Sequence, residues 1–160
     1  MPEVLNRSDL ERFIEVNGID ATILPMNGHT STVSDAAREL GVAVGQIIKS
    51  LVFLADGIPF LVINNGLARV DRKKLAARWQ IGRKRIKFAS ADQARDITGF
   101  VVGSMPPFGH IHPLPTLIDP SVIRIDTLFG GGGDIDAMMQ LTPAELLRVT
   151  KAELTAVSED

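Results

Sequence analysis

Ser50-Leu-Val-Phe-Leu-Ala55, then Asp56-Gly57, then Ile58-Pro-Phe-Leu-Val-Ile-Asn64, reads as two β-rich runs around a two-residue turn. Asp-Gly is favoured there because both central positions of a tight hairpin turn require positive φ. The pattern predicts antiparallel strands near 49–55 and 58–64. A hairpin join argues against a purely parallel, doubly wound sheet. Alternation along the first strand puts Lys49, Leu51 and Phe53 on one face and Ser50, Val52 and Leu54 on the other.

Helix signals flank the hairpin. Ser8-Asp-Leu-Glu11 reads as a capping box opening a helix over 8–17 that Gly18 ends, and Thr32-Val-Ser-Asp35 opens a second that stops at Gly41. A short helical turn over 44–48 delivers Lys49 to the first strand. Downstream, Asp71 caps a basic helix running to Trp79, residues 86–89 form a short strand, and Ser90-Ala-Asp-Gln93 opens a helix closed by Gly99. Leu117-Ile-Asp119 and Val122-Ile-Arg-Ile-Asp126 read as two further strands, and Thr142-Pro-Ala-Glu145 starts a final helix with Leu146, Leu147 and Val149 on its buried side. The expectation is an α/β (α+β-like) fold in one domain over 1–160, with no repeats, no low-complexity tracts and no linker.

Composition narrows the chemistry. With 160 residues, 45% of them hydrophobic and 22% charged, the chain has the apolar content of an ordinary globular core. The absence of cysteine excludes disulfides, thiolate catalysis and cysteine-ligated metal clusters, which suits a reducing cytoplasm. No apolar run approaches the roughly 20 residues needed to span a bilayer, and the first residues lack a basic stretch followed by an apolar one, so neither membrane association nor export is expected.

Two local features point to a ligand. The loop Gly99-Phe-Val-Val-Gly103-Ser-Met-Pro-Pro107-Phe-Gly109 combines three glycines, which let backbone amides approach a ligand, with two prolines that fix their direction. Lys49 supplies a point charge suited to a phosphate or carboxylate, although a lysine entering a strand also commonly reaches solvent. The second feature is charge. Net charge is −2, yet nine of the 17 lysines and arginines (Arg69, Arg72, Lys73, Lys74, Arg78, Arg83, Lys84, Arg85 and Lys87) fall in one segment whose single acid is Asp71. Such an excess suits a polyanion, or a solvated helix face.

Other constellations are weaker. There is no G-x-S-x-G elbow and there are three histidines, His29, His110 and His112, so a nucleophilic triad is not expected; His110-x-His112 beside Pro113 and Pro115 reads as a rigid loop rather than a metal site. Gly130–Gly133 is followed by no Gly-Lys-Ser/Thr and is a phosphate nest or a flexible turn. Phe108 stacks on a base or lies in the core, Trp79 packs or stacks, and Asp134 and Asp136 line a pocket or meet solvent.

Taken in order, Ala36-Ala-Arg-Glu-Leu-Gly-Val42, Gln46-Ile-Ile-Lys49-Ser-Leu-Val-Phe53, Val70-Asp-Arg-Lys-Lys-Leu75, Thr98-Gly-Phe-Val-Val-Gly103-Ser-Met-Pro-Pro107, Ile118-Asp119, Gly130-Gly-Gly-Gly133 and Thr142-Pro-Ala-Glu-Leu-Leu147 resemble the YbaK/prolyl-tRNA-editing domain family of freestanding aminoacyl-tRNA deacylases. The resemblance runs from about residue 8 to about 155. It implies a mixed, partly barrel-like sheet flanked by short helices, binding the aminoacylated 3′ end of a tRNA and hydrolysing its ester without a cofactor. Lys49 falls at the family's active-site lysine, which engages the phosphate and sugar of the terminal adenosine, and Gly103, Ser104, Met105, Pro106 and Pro107 match its G-x-x-x-P loop, which holds the aminoacyl carbonyl. Ser50, Leu51, Phe108, Asp134, Asp136 and Met138 are then the candidate substrate pocket, and the nine cations the tRNA contact. Such an ester needs little more than an oriented water and amide donors for the oxyanion, with a terminal ribose hydroxyl or the bound amino acid assisting.

Substrate choice follows less directly. Alanine-specific members carry asparagine after the lysine and a late histidine; here Ser50 follows Lys49 and no histidine follows His112. Cysteinyl-specific members carry threonine there, which Ser50 resembles more closely. The implied substrate is misacylated tRNA, tRNA(Pro) with a small wrong amino acid first, with prolyl-tRNA synthetase as a partner. A binding module for tRNA or a synthetase and a hydrolase of another aminoacyl ester remain open alternatives, as does the oligomeric state.

Overall fold

The computed structural model describes residues 4–28 and 32–160. Its centre is the hairpin: β2 (Ile48–Ala55) and β3 (Ile58–Asn65) pair antiparallel from Ile48↔Asn65 to Ala55↔Ile58, with Asp56 (φ +51°) and Gly57 (φ +82°) supplying the turn. β4 (Ile86–Phe88) adds antiparallel to β2, and β5 (Thr116–Ile118) and β8 (Glu153–Leu154) extend the other edge in parallel, giving the order β4-β2-β3-β5-β8. A second antiparallel sheet has the order β1-β7-β6, from Ala21–Pro25, Ala137–Leu141 and Leu128–Gly131. A parallel bridge between Ile47 and Phe129 joins the sheets and gives the partial closure expected of a barrel-like arrangement.

The β2 alternation decides what each face packs against. Ile48 and Val52 join the largest core cluster with Leu61, Ile63 and Met139. That cluster also takes in Leu10 of α1 (Arg7–Val16), Ala94 of α4 (Ala91–Thr98) and Leu146 of α5 (Pro143–Thr150). Phe53 and, partly, Leu51 join the opposite cluster under α3 (Arg72–Trp79) and Val157. α2 (Val33–Leu40) covers the small sheet through Ala36 and Ala37 against Ile47, Phe129 and Met138.

Most helix starts fall where their caps predict: Thr32, Asp71, Ser90 and Thr142 each accept from an amide of the first turn, and Gly41 and Gly99 close their helices with positive φ. Four expectations need correction. The first helix is capped by Asn6, whose side chain accepts from Ser8 and Asp9 while Asp9 returns to the Asn6 amide, so the box lies two residues before the Ser8 reading. The helical turn expected over 44–48 ends at Gln46, because Ile47 and Ile48 enter pairing with β6 and β3. The strand expected over 122–126 is a 3-10 helix, Pro120–Arg124, opened by Asp119 accepting from Ser121 with proline at its first position. Of the glycine run, Gly130 and Gly131 end β6 and only Gly132 and Gly133 belong to the turn before β7, and β1, β7 and β8 carry no local signal that announces them.

Candidate functional site

Between its single bridge to β6 at Ile47 and its pairing with β4 from Phe53 onward, the outer edge of β2 has no neighbouring strand at 49–51 among the described residues. Here the molecule opens into a cavity of about 580 Å³. This half-buried segment of β2, unpaired on its outer edge, forms the floor, the start of α2 one wall, and the end of β4 with the first turns of α4 another. Gly103, Met105, Gly131 and Met138 close it.

Because β2 alternates, this edge presents two chemistries. On one side the Ser50 hydroxyl is buried and has no hydrogen-bond partner among the described residues. On the other, Lys49 stands opposite Asn64 and donates from Nζ to the Ala68 carbonyl at 2.5 Å, leaving two of its three donors for another partner. Burial, and then the positive charge of Arg69, lower the Lys49 pKa from its ordinary value. Fully buried Asn64 donates to the same carbonyl and to the Ser158 hydroxyl, both at 3.4 Å, so the chain end braces the lysine's surroundings.

The Gly103–Pro107 loop is built to hold its shape. Gly103 has φ +95°, the Ser104 hydroxyl and amide both donate to the Val101 carbonyl, and the Ser104 carbonyl accepts from Gly133 at 3.0 Å. A Cβ on Gly131 would lie 2.5 Å from the Met105 carbonyl carbon and 2.9 Å from the Ser104 oxygen, so only glycine lets β6 lie against this loop. His110 Nε2 donates to the Pro106 carbonyl at 2.8 Å, and burial lowers the imidazole pKa against the smaller opposing effect of that bond. Among the described residues, neither the Gly103 nor the Met105 amide has an acceptor, and both residues border the cavity.

Of the sequence-derived candidates, the fold brings Lys49, Ser50, Leu51, Gly103, Met105 and Met138 to this cavity. Ser104, Pro106 and Pro107 are buried behind it as loop supports. Three pocket assignments are corrected. Phe108 stacks on Phe13 in the core at 5.8 Å, Asp134 accepts from the Arg7 amide at the start of α1, and exposed Asp136 lies outside the lining, its carbonyl accepting from Met26. Trp79 packs edge-on against Phe60 beneath Arg78. The sequence reading missed Phe88, Ser90, Gln93 and Ala94 as cavity residues, although the Ser90–Gln93 capping box marks where α4 begins.

The basic segment divides. Arg78 is bound bidentately by Glu153, Arg85 by Asp56, and Lys74 reaches Asp160 at 2.9 Å and the Ser158 carbonyl at 2.6 Å. Arg69, Arg72, Lys73, Arg83, Lys84 and Lys87 are exposed and make no ion pair with described residues. No group of three or more histidine or acidic side chains is placed to hold a metal among the described residues, and His29 lies outside them. No described helix is long and apolar enough to cross a membrane.

Known proteins resemble this chain in sequence and in fold. Residues 27–149 match the family model of the aminoacyl-tRNA editing domain. Over 118 residues the chain is 34% identical to the uncharacterised protein YwhH of Bacillus subtilis (strain 168), covering 73% of each. It is 32% identical over 126 residues to the multifunctional Ser/Thr-tRNA deacylase ProXp-y of Escherichia coli (strain K12), covering 75% of this chain and 74% of that one. A crystal structure described as a candidate trans-editing enzyme for prolyl tRNA synthetase superposes with a TM-score of 0.89 at 30% identity, over 96% of this chain and 97% of the other.

Proposed function

The chain belongs to the aminoacyl-tRNA editing domain family, and from that premise we propose that it is a trans-editing deacylase that hydrolyses a small, wrongly attached amino acid from tRNA, tRNA(Pro) first. The observation that carries the reading is the open edge of β2, with Lys49 on one side and Ser50 with the Gly103–Met105 loop on the other.

An aminoacyl ester laid across that edge has its halves in matched surroundings. The terminal phosphate and ribose meet the Lys49 ammonium, with Arg69 nearby. The acyl group enters the cavity towards Ser50, Met105 and Met138. A water adds to the ester carbonyl carbon, and the oxygen that becomes negative is received by the unengaged amides of Gly103 and Met105. Collapse of the adduct returns the terminal ribose hydroxyl, which takes one of the water's protons, and releases the carboxylate, with the second proton passing to solvent. This chain's residues orient and stabilise, and a substrate hydroxyl or amine assists the water.

Ser50 supports a choice of substrate. Its orphan hydroxyl gains a hydrogen bond from a side chain carrying its own hydroxyl, which favours serine and threonine over alanine. The Ser/Thr-tRNA deacylase relative is consistent with that preference. The test is release of labelled amino acid from tRNA(Pro) and other tRNAs charged with serine, threonine, alanine, cysteine or proline. Hydrolysis of seryl- or threonyl-tRNA, with the preference over alanyl-tRNA reduced by about five- to tenfold in Ser50→Ala, is expected from the loss of one hydrogen bond. Tight tRNA binding without release from any acceptor would replace the deacylase with a binding module.

A further inference from the structure

Phe88 is the one aromatic side chain among the described residues that line the cavity, and 51% of its surface is exposed. Its ring is supported: Phe88 pairs with Phe53 across β2 and β4, and the rings lie 5.1 Å apart at 49°. Phe53 is itself buried against Phe60, at 6.0 Å, in the core beneath α3. An exposed ring braced from the side by a buried one loses little mobility on taking a further ring against its free face.

The register places this ring beside the lysine. Residues directly opposite in an antiparallel pair share a face, so Phe88 stands on the same face as Phe53, Leu51 and Lys49. Along β2, Lys49 lies four residues from Phe53, roughly 13 Å at about 3.3 Å per residue, with half-buried Leu51 midway. Arg69 lies close enough to Lys49 to lower its pKa, while exposed Lys87, opposite Leu54, belongs to the other face. The outer side of the open edge is thus an apolar step, Leu51 and Phe88, bordered at the lysine end by Lys49 and Arg69. The inner side, with Ser50 and the Gly103–Met105 loop, is the place already given to the aminoacyl group.

We infer that Phe88, with Leu51, is the platform on which the terminal base of the aminoacyl-tRNA stacks, on the outer side of the cavity. This rests on the deacylase reading for its occupant. A nucleotide whose ester crosses the edge at Ser50 extends its base over Leu51 and Phe88 while its phosphate meets Lys49 and Arg69. The ring contributes through its π-face rather than hydrogen bonds, so it holds any base and favours a purine for its area. Phe108, the loop aromatic that the sequence offered for this purpose, is stacked on Phe13 in the core.

The test separates base recognition from turnover. Binding of uncharged tRNA(Pro) is compared with binding of the same RNA carrying an abasic 3′-terminal nucleotide, for wild type, Phe88→Ala and Phe88→Tyr. Stacking on one aromatic gives a preference for the intact end of about 5- to 150-fold, equivalent to about 1–3 kcal/mol. Phe88→Ala is expected to abolish the preference, Phe88→Tyr to retain it, and an unchanged circular dichroism spectrum to show that the fold is intact. No preference in wild type, or the same preference in Phe88→Ala, would overturn the platform. Deacylation of charged tRNA by the wild type is measured in parallel. A base preference lost in Phe88→Ala without any turnover would retain the platform and discard the deacylase reading; turnover with no base preference would do the reverse.

Discussion

Replacing Gly131 by alanine tests whether β6 holds the Gly103–Pro107 loop in position, and whether that loop serves the proposed reaction. The added Cβ would lie 2.5 Å from the Met105 carbonyl carbon and closer still to its oxygen, and both are backbone atoms that cannot rotate away. Ordinary carbon contacts are about 3.5 Å, so loop and strand must separate by roughly 1 Å. Overpacking of this kind costs about 1–3 kcal/mol, which for a chain of this size lowers Tm by about 2–12 °C. The larger effect is on rate, because a displacement of about 1 Å at a site that works by orientation costs on the order of a hundredfold. Gly130→Ala is the control: its Cβ would meet side-chain atoms of Ile48 at 3.1 and 3.3 Å, which can shift. The assay is single-turnover deacylation with thermal unfolding of wild type and both variants. A folded Gly131→Ala protein that keeps the wild-type rate within twofold would refute the placement of the Met105 amide at the reacting carbonyl.

Three further outcomes follow from other parts of the fold. Burial holds the His110 imidazole below its ordinary pKa, so the unfolded chain takes up the proton first; stability is full above about pH 6.5 and falls as the pH drops below it, and His110→Gln should flatten that acid slope in thermal unfolding between pH 7 and 5. Burial works to raise the Asp119 pKa, but bonds from Ser121, Val157 and Ser158 outweigh it and hold the group low. Its stabilisation is present above about pH 4 and lost below, and Asp119→Ala should cost about 2–4 kcal/mol in urea unfolding by releasing the chain end. Neutralising Arg83, Lys84 and Lys87 together should weaken tRNA binding and make its logarithmic salt dependence shallower by about 0.7–0.9 for each phosphate left without its cation, whereas Arg78→Ala, already paired with Glu153, should leave binding within about twofold.

Most local signals were legible in the sequence, the Asn6 cap and the Asp119-Pro120 helix start excepted. The Asp56-Gly57 hairpin, the caps at Thr32, Asp71, Ser90 and Thr142, and the alternation along β2 each depend on neighbours within a few residues, and each appears in the fold. β1, β6 and β7 were not legible, because the β1–β7 pairing joins residues more than a hundred positions apart and β6 is half glycine, a composition that ordinarily weakens a strand. The strand reading of Val122–Asp126 failed because Asp119-Pro120 starts a 3-10 helix whose capping outweighs the β-branched residues after it. At the site, Lys49 and the Gly103 loop stood out through residue type, and the ordered series of motifs joined them. Phe88 did not stand out: its value comes from being exposed at the end of a three-residue edge strand, which only the fold reveals.

The most direct test of the deacylase assignment is the rate of amino-acid release from seryl- and threonyl-tRNA(Pro) by wild type and by folded Lys49→Ala. Loss of a charge-assisted bond to the terminal nucleotide should lower the single-turnover rate at subsaturating enzyme by about 10- to 150-fold, equivalent to about 1.5–3 kcal/mol. Lys49→Arg, which keeps the charge, should recover part of it. Equal rates for wild type and Lys49→Ala would contradict the role given to the open edge of β2.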